Sequence, residues 1–163
     1  VPVSILVEEA LDRMQPGAAA AGIDLSGDDA AGEVTVACDR RQLVSALVNL
    51  LDNAVKYSER GSAVELRGAI EGDRVVFEVR DHGIGIPRGD LDRIWERFYR
   101  VDQARSRETG GTGLGLSIVR HVVQVHGGEV GVTSREGQGS TFRITIPRAS
   151  IDAATETQQR EHV

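Results

Sequence analysis

The chain has 163 residues, of which 40% are hydrophobic, and a formal net charge of -6 at pH 7. This length suits one domain with a sizeable core and is too short for two. The negative charge argues against general nucleic-acid binding, which needs a basic surface, and gives no attraction to anionic membranes. Cys38 is the only cysteine, so no intrachain disulfide or zinc-type cluster can form, which fits a reducing compartment. No apolar run is long enough to span a bilayer. Because the chain starts with Val-Pro-Val-Ser, we expect it to be a piece of a longer protein.

The N-terminal segment reads as a helix followed by short extended pieces. Apolar residues at helical spacing predict a helix over residues 4–20, which Pro16 and Gly17 are expected to end early. Residues 23–26 and 33–37 read as two extended segments, separated by a turn rich in glycine and aspartate.

A polar stripe runs along the next predicted helix, which Asp39 caps and which ends at about Tyr57. At about 100° per residue the stripe occupies one narrow face, and leucines occupy the opposite side. Two asparagines one turn apart can offer amide oxygens to a hard cation, and a lysine beyond them can reach a phosphate. A solvated polar face is the alternative interpretation. The residues of the stripe are Gln42, Ser45, Asn49, Asn53 and Lys56.

The rest of the chain alternates strands, glycine loops and helices, so the fold class is predicted as α+β, with one sheet covered by helices on one face. The predicted elements are a hairpin (62–70 and 74–80), a short helix near 88–95, a helix over 114–126 and a final hairpin (129–135 and 140–146). The end of the chain has little to bury, and we expect it to be disordered.

The first glycine loop, residues 81–87, lies where a strand is predicted to end. Gly83 and Gly85 let the backbone come close to a flat ligand, and the Asp81 carboxylate can accept a hydrogen bond from an exocyclic amine such as that of adenine. A tight turn after a strand explains these residues equally well. Pro87 argues against a dinucleotide fold, in which a third glycine leads into a helix.

The second glycine loop, residues 110–116, opens directly into a predicted helix. Successive glycine N–H groups at a helix start form a cradle for an anion, and a triphosphate would suit it. A flexible linker with helix capping is the alternative, although four glycines in six residues are costly to order without a ligand. No GxxxxGK[ST] sequence occurs, so this is not a P-loop.

Between the two loops, aromatic residues alternate with arginines over residues 94–100, and Arg105 and Arg107 follow. Aromatic side chains can anchor such a segment to the core while guanidinium groups reach phosphates. A solvated loop held by an apolar staple is an equally good interpretation.

Taken together and in this order, the Asn-Asn-Lys helix, DxGxG, the aromatic-arginine segment and GTGLGL resemble the catalytic ATP-binding domain of bacterial sensor histidine kinases, within the GHKL superfamily. The resemblance covers residues 3–147. It implies a Bergerat-type fold, a two-layer α/β sandwich whose mixed, mostly antiparallel sheet carries helices on one face. It also implies ATP and Mg²⁺ as ligands and a lid over residues 101–110. We therefore expect one domain over residues 1–148 and a disordered tail over 149–163.

The resemblance also implies roles for individual residues. Asn53 matches the asparagine that binds Mg²⁺, and Asn49 lies near the metal and the phosphates. Lys56 would reach phosphate oxygens, and Arg100 would face the γ-phosphate, so the implied catalytic residues are Asn49, Lys56 and Arg100. The implied nucleotide-binding residues are Asn53, Tyr57 against adenine, Asp81 on its amine, Gly83 and Gly85 in that pocket, and Gly111, Thr112, Gly113, Leu114 and Gly115 over the phosphates. Gly137 and Gly139 resemble an architectural glycine turn. His82 and Trp95 depart from the family pattern, where asparagine and phenylalanine are common.

Asn49 bears on the type of reaction, because members of this superfamily that hydrolyse ATP carry a glutamate there. An amide cannot take a proton from water or a hydroxyl group, whereas a neutral imidazole is a nucleophile that needs little help. Transfer would then rest on positioning and charge stabilisation.

The phosphate acceptor of this family is a histidine followed by an acidic residue on a helix, and none of the four histidines matches. His121 and His126 are expected to be ordinary helix surface. The resemblance thus implies a protein-histidine kinase domain that is incomplete alone and acts on a separate dimerisation and phosphoacceptor domain, upstream of a response regulator. It would be the cytoplasmic part of a membrane-anchored sensor and a monomer in isolation. The alternative is a GHKL-type regulatory nucleotide-binding module, or an ATPase without histidine phosphotransfer.

Overall fold

Three helices and five strands make up the part of the chain that the computed structural model describes, which is residues 1–28, 31, 33–96 and 115–148. The predicted lid and the predicted tail lie outside these residues. In chain order the elements are α1 (Val3–Ala21), β1 (Asp24–Asp28), α2 (Arg40–Tyr57), β2 (Ala63–Glu71), β3 (Arg74–Asp81), α3 (Gly115–Val125), β4 (Glu129–Arg135) and β5 (Gly139–Pro147).

The strands form one mixed sheet in the order β1-β2-β3-β5-β4. β1 runs parallel to β2, and the other neighbours are antiparallel. β2 and β3 are joined by the two-residue turn Gly72-Asp73, so Glu71 lies opposite Arg74. This register brings Asp81, the last residue of β3, opposite Ser140 at the start of β5. The predicted α+β fold and both predicted hairpins are confirmed.

The helices pack against one face of the sheet, with α2 lying against both α1 and α3. Alternate residues of the central strands point into this layer, and Phe77 and Phe142 are the largest fully buried side chains among the described residues. The side of α2 opposite the polar stripe is fully buried, as its periodicity predicts: Leu43, Leu47, Leu50, Leu51 and Ala54 are all 0% exposed. Asp39 caps this helix, and its carboxylate accepts a hydrogen bond from the Gln42 N–H at 3.0 Å.

The expectation that α1 ends early is wrong, because the helix continues through Pro16 to Ala21. A proline inside a helix removes one backbone hydrogen bond, but Met14 and Ala18 are buried on either side of it. Burial of these side chains keeps the turn helical. The helix ends instead at Gly22, whose φ of 70° is the left-handed conformation that glycine adopts readily.

The second predicted extended segment, residues 33–37, does not join the sheet. It forms two isolated bridges, from Thr35 to Pro2 and from Val36 to Arg148. The backbones of Val1 and Val36 also bond each other, with Val36 N donating to Val1 O at 2.9 Å and the Val1 amino group donating to Val36 O at 3.0 Å. This segment therefore holds both the first residues and Arg148.

The predicted short helix near residues 88–95 is wrong in extent, because only Arg88–Asp90 is helical, as a single 3-10 turn. Pro87 accepts the hydrogen bond from Asp90 N that closes this turn, and further turns follow. Ile94 and Trp95 are buried, so tertiary packing rather than helix propensity places this segment. None of the helices described is long and apolar enough to cross a membrane.

Candidate nucleotide-binding site

A buried carboxylate stands at the end of β3. Asp81 is 5% exposed, and its Oδ1 accepts hydrogen bonds from the backbone N–H of Gly83 at 3.0 Å and of Ser140 at 3.2 Å. Both bonds reach the same oxygen, and no donor among the described residues reaches Oδ2. The carboxylate is thus fixed by its own loop and by β5, and it keeps one oxygen available for a ligand's donor.

The surroundings of Asp81 raise the pKa of its carboxyl above the ordinary aspartate value. Burial is the largest cause, because it disfavours the charged form. The N–H groups of Gly83 and Ser140 and the charge of His82 oppose this effect and lower the pKa. A carboxylate that is buried although burial disfavours its charged form is typical of a functional site.

The C-terminal end of α2 joins the loop that follows Asp81. Ile84 N donates to Tyr57 O at 3.3 Å, and a Cβ on Gly83 would collide with the same carbonyl. Only glycine therefore permits this approach. The C-terminal end of α2 and the Asp81 loop are therefore in direct contact.

The turn between β4 and β5 supports this loop from the other side. Gly85 has a φ of 74°, and a Cβ there would collide with the backbone O of Arg135. Gly137 N donates to Ile84 O at 2.7 Å, and Ile86 N donates to Ser134 Oγ at 2.8 Å. Sequence reasoning missed Ser134, because a single serine in a strand gives no signal of a contact 48 residues away.

Ser134 is therefore a positioning residue that can be tested. Its hydroxyl also donates to Gly139 O at 3.0 Å, so Ser134→Ala removes the partners of two backbone groups. We expect a loss of about 1–3 kcal/mol of stability, and ATP affinity reduced about fivefold because the loop is less fixed. Thermal unfolding and calorimetric titration measure the two effects. Thr133→Val, which removes an exposed hydroxyl from the adjacent position, should change neither; equal effects of both variants would contradict this role.

The polar stripe of α2 leads toward the same junction. Gln42 and Ser45 are exposed, whereas Asn49, Asn53 and Lys56 are half-buried. Lys56 Nζ forms an ion pair with Asp52 Oδ2 at 3.0 Å. Asp52 was not among the predicted site residues, and its position one turn from Lys56 was the available signal. Two amide side chains one turn apart beside a lysine fit the ligand preference of Mg²⁺ and a phosphate.

Several predicted site residues fall outside the described part of the chain. These are Arg100, Gly111, Thr112, Gly113 and Leu114. Gly115 is described as the first residue of α3. Of the aromatic-arginine segment, Trp95 packs edge-to-face on Phe142 with ring centroids 5.9 Å apart, a contact that both interpretations of this segment allow.

The fold and this arrangement define an ATP-binding domain, and residues 38–150 match the family of histidine kinase-, DNA gyrase B- and HSP90-like ATPases. The chain belongs to this family. Within it, the chain is homologous to sensor histidine kinases. It is 44% identical to the sensor-like histidine kinase SenX3 of Mycobacterium tuberculosis over 161 residues, which are 99% of this chain and 39% of that protein.

Solved structures agree with this assignment. The mycobacterial sensor histidine kinase MprB superposes with a TM-score of 0.78 and 28% identity, over 93% of this chain and 97% of that one. Full-length ShkA in complex with AMPPNP superposes with a TM-score of 0.77 and 37% identity, over 92% of this chain and 31% of that one. The chain thus spans well under half the length of SenX3 and corresponds to a catalytic domain.

Proposed function

We propose that this chain binds Mg²⁺-ATP at the junction of α2, the Asp81 loop and the start of α3, and transfers the γ-phosphate to a histidine on a separate dimerisation domain. A response regulator would then receive the phosphate. The observation that carries the proposal is the buried Asp81, whose Oδ1 is held by two backbone N–H groups while Oδ2 is left for the exocyclic amine of adenine.

The phosphate end of the nucleotide would lie along the C-terminal half of the polar stripe, from Asn49 to Lys56. Asn49 and Asn53 would hold Mg²⁺, which when bound supplies neutralising charge at the phosphates. Lys56 would exchange its contact with Asp52 for a phosphate oxygen, because an i,i+4 ion pair that remains partly in contact with solvent contributes little. Arg100 and residues 111–115 would complete the phosphate contacts, and Tyr57 would pack on the adenine.

Direct transfer is favoured over hydrolysis because Asn49 cannot act as a base. We further propose that the chain is the cytoplasmic, monomeric catalytic domain of a membrane-anchored sensor. A regulatory module that only binds nucleotide is the second candidate, and the amide at Asn49 is equally compatible with it.

The decisive test mixes this chain, Mg²⁺ and γ-labelled ATP with the phosphoacceptor domain of the same protein. A kinase yields acid-labile phosphate on the acceptor. A module that only binds nucleotide yields none, and a hydrolase releases free phosphate without any acceptor. Either of the last two outcomes would refute histidine phosphotransfer.

Asn53→Ala tests the proposed metal ligand separately. We expect ATP affinity in Mg²⁺ to fall at least about tenfold, since even groups that only orient metal ligands cost 10–100-fold when removed. In excess chelator, the variant and the unmodified chain should bind ATP equally. Gln42→Ala, on the same face of α2 but about three turns away, should bind like the unmodified chain in both conditions. A chelator-independent loss in Asn53→Ala would contradict the metal assignment.

A further inference from the structure

We propose that His126 is a positioning residue for the phosphate half of the nucleotide site, because it holds the end of α3 on the first turn of α2. The proposal rests on the proposed function, since it concerns how these two helices present their groups to ATP. His126 lies one residue after the end of α3 and was predicted to be ordinary helix surface.

The contacts of His126 fix its protonation state. The backbone N–H of Asp39 can only donate, and it lies 3.0 Å from His126 Nε2, so Nε2 accepts. His126 Nδ1 lies 2.8 Å from Val122 O, which can only accept, so Nδ1 carries the proton and donates. The imidazole is therefore neutral and in the Nδ1–H form.

Asp39 is also the cap of α2, since its carboxylate accepts from Gln42 N. Asp39 thus caps the first turn of α2 with its side chain and donates from its main chain to His126, directly after the end of α3. His126 thereby connects two helices whose contacting residues are 87 positions apart in the chain.

The direction of the helices makes this contact relevant to the site. α2 and α3 pack together, and the C-terminal end of α3 meets the N-terminal end of α2, so the helices run in opposite directions. The 11 residues of α3 span about 16 Å. Gly115, at the other end of α3, therefore lies about this distance from the contact with Asp39, toward the C-terminal half of α2. His126 therefore holds one end of the helix whose other end, Gly115, is proposed to contact the phosphates.

The adenine half of the site does not depend on this contact. Asp81 is held by Gly83 and Ser140, and its loop is fixed by the end of α2 and the β4–β5 turn. Loss of the His126 contact should therefore weaken the binding of phosphates and leave the binding of the nucleoside unchanged. A general loss of structure would weaken both.

Calorimetric titration of the full chain with Mg²⁺-ATP and with adenosine separates these cases. For His126→Ala we expect ATP affinity to fall about fivefold, the value of one ordinary hydrogen bond, with adenosine affinity changed less than about twofold. His126→Gln, whose side chain can again offer an oxygen to Asp39 N–H, should recover most of the ATP affinity. His121→Ala, at an exposed position of the same helix, is the matched control.

An NMR measurement on the unmodified chain does not depend on whether the variants fold. Imidazole nitrogen shifts should identify His126 as the neutral Nδ1–H form, which is the minor form of free histidine. The Nε2–H form, or equal losses of ATP and adenosine binding in His126→Ala, would overturn the inference. If the unmodified chain bound no ATP, the proposed function would fail first.

Discussion

Replacing Asp81 by asparagine is expected to reduce ATP affinity at least about 100-fold and, at the same time, to make the unliganded chain more stable at pH 7. Asparagine keeps an oxygen for the N–H groups of Gly83 and Ser140 but puts an NH₂ group where Oδ2 stood. Two donors then face each other across the pocket, and a buried donor left without an acceptor is strongly penalised.

The expected gain in stability follows from the direction of the pKa shift. Burial raises the pKa of the Asp81 carboxyl in the folded chain above its value in the unfolded chain. The folded state therefore binds more protons between the two values, and stability falls as pH rises through this window. Above this pH window the full destabilisation by the buried charge persists, and Asp81→Asn removes that destabilisation. Thermal unfolding should show the variant more stable at pH 7, with the difference shrinking as pH is lowered through the window.

Base exchange gives this prediction a positive readout. The NH₂ of asparagine can donate to a 6-oxo group, so the preference of Asp81→Asn should shift from ATP toward inosine triphosphate. Asp73→Asn removes the same charge at an exposed turn and should bind ATP normally. Unchanged ATP affinity in Asp81→Asn would show that adenine is bound elsewhere.

The second large effect is expected at Gly85. Gly85 and Gly137 have nearly the same φ, 74° and 76°, so alanine at either position carries the same left-handed strain of about 1–2 kcal/mol. At Gly137 nothing lies within 4 Å of the added Cβ. At Gly85 the Cβ would collide with the backbone of Arg135, and backbone cannot move aside as a side chain can.

We therefore expect Gly85→Ala to lose about 3–5 kcal/mol in all and Gly137→Ala only the strain itself. At about 2–4 °C per kcal/mol for a chain of this size, thermal unfolding resolves the pair. ATP affinity should fall at least about tenfold in Gly85→Ala alone, because its loop must leave the β4–β5 turn. Equal losses of stability in Gly85→Ala and Gly137→Ala would show that the close contact between the Asp81 loop and the β4–β5 turn does not stabilise the domain.

The features that sequence could predict are those encoded by local spacing. The 3.6-residue period of α2 placed Leu47 and Leu50 in the core, and the cap at Asp39 followed from its position before that helix. The glycine loop after a strand indicated where Asp81 would stand, at the buried end of β3. The functional roles assigned to these residues remain predictions.

The features that sequence missed depend on contacts between distant segments. The helix α1 continues through Pro16 because Met14 and Ala18 pack on the core. Local helix propensity carries no information about this packing. The bonds of Ser134 to Ile86 and of His126 to Asp39 span 48 and 87 residues. Each is a single polar side chain meeting a main-chain N–H, and no periodic pattern marks such a pair.

The short segment around Val36 holds the first residues of the domain and Arg148 close to each other. Pro2 and Arg148 bridge to neighbouring residues of this segment, and two strand spacings put them about 10 Å apart. A tether attached before Pro2 and one attached after Arg148 would therefore both apply force to the segment around Val36. A short linker could also join these ends in a circularly permuted chain. Force applied there would reach the start of α2 within three residues, at the end of that helix farthest from Asn53 and Lys56.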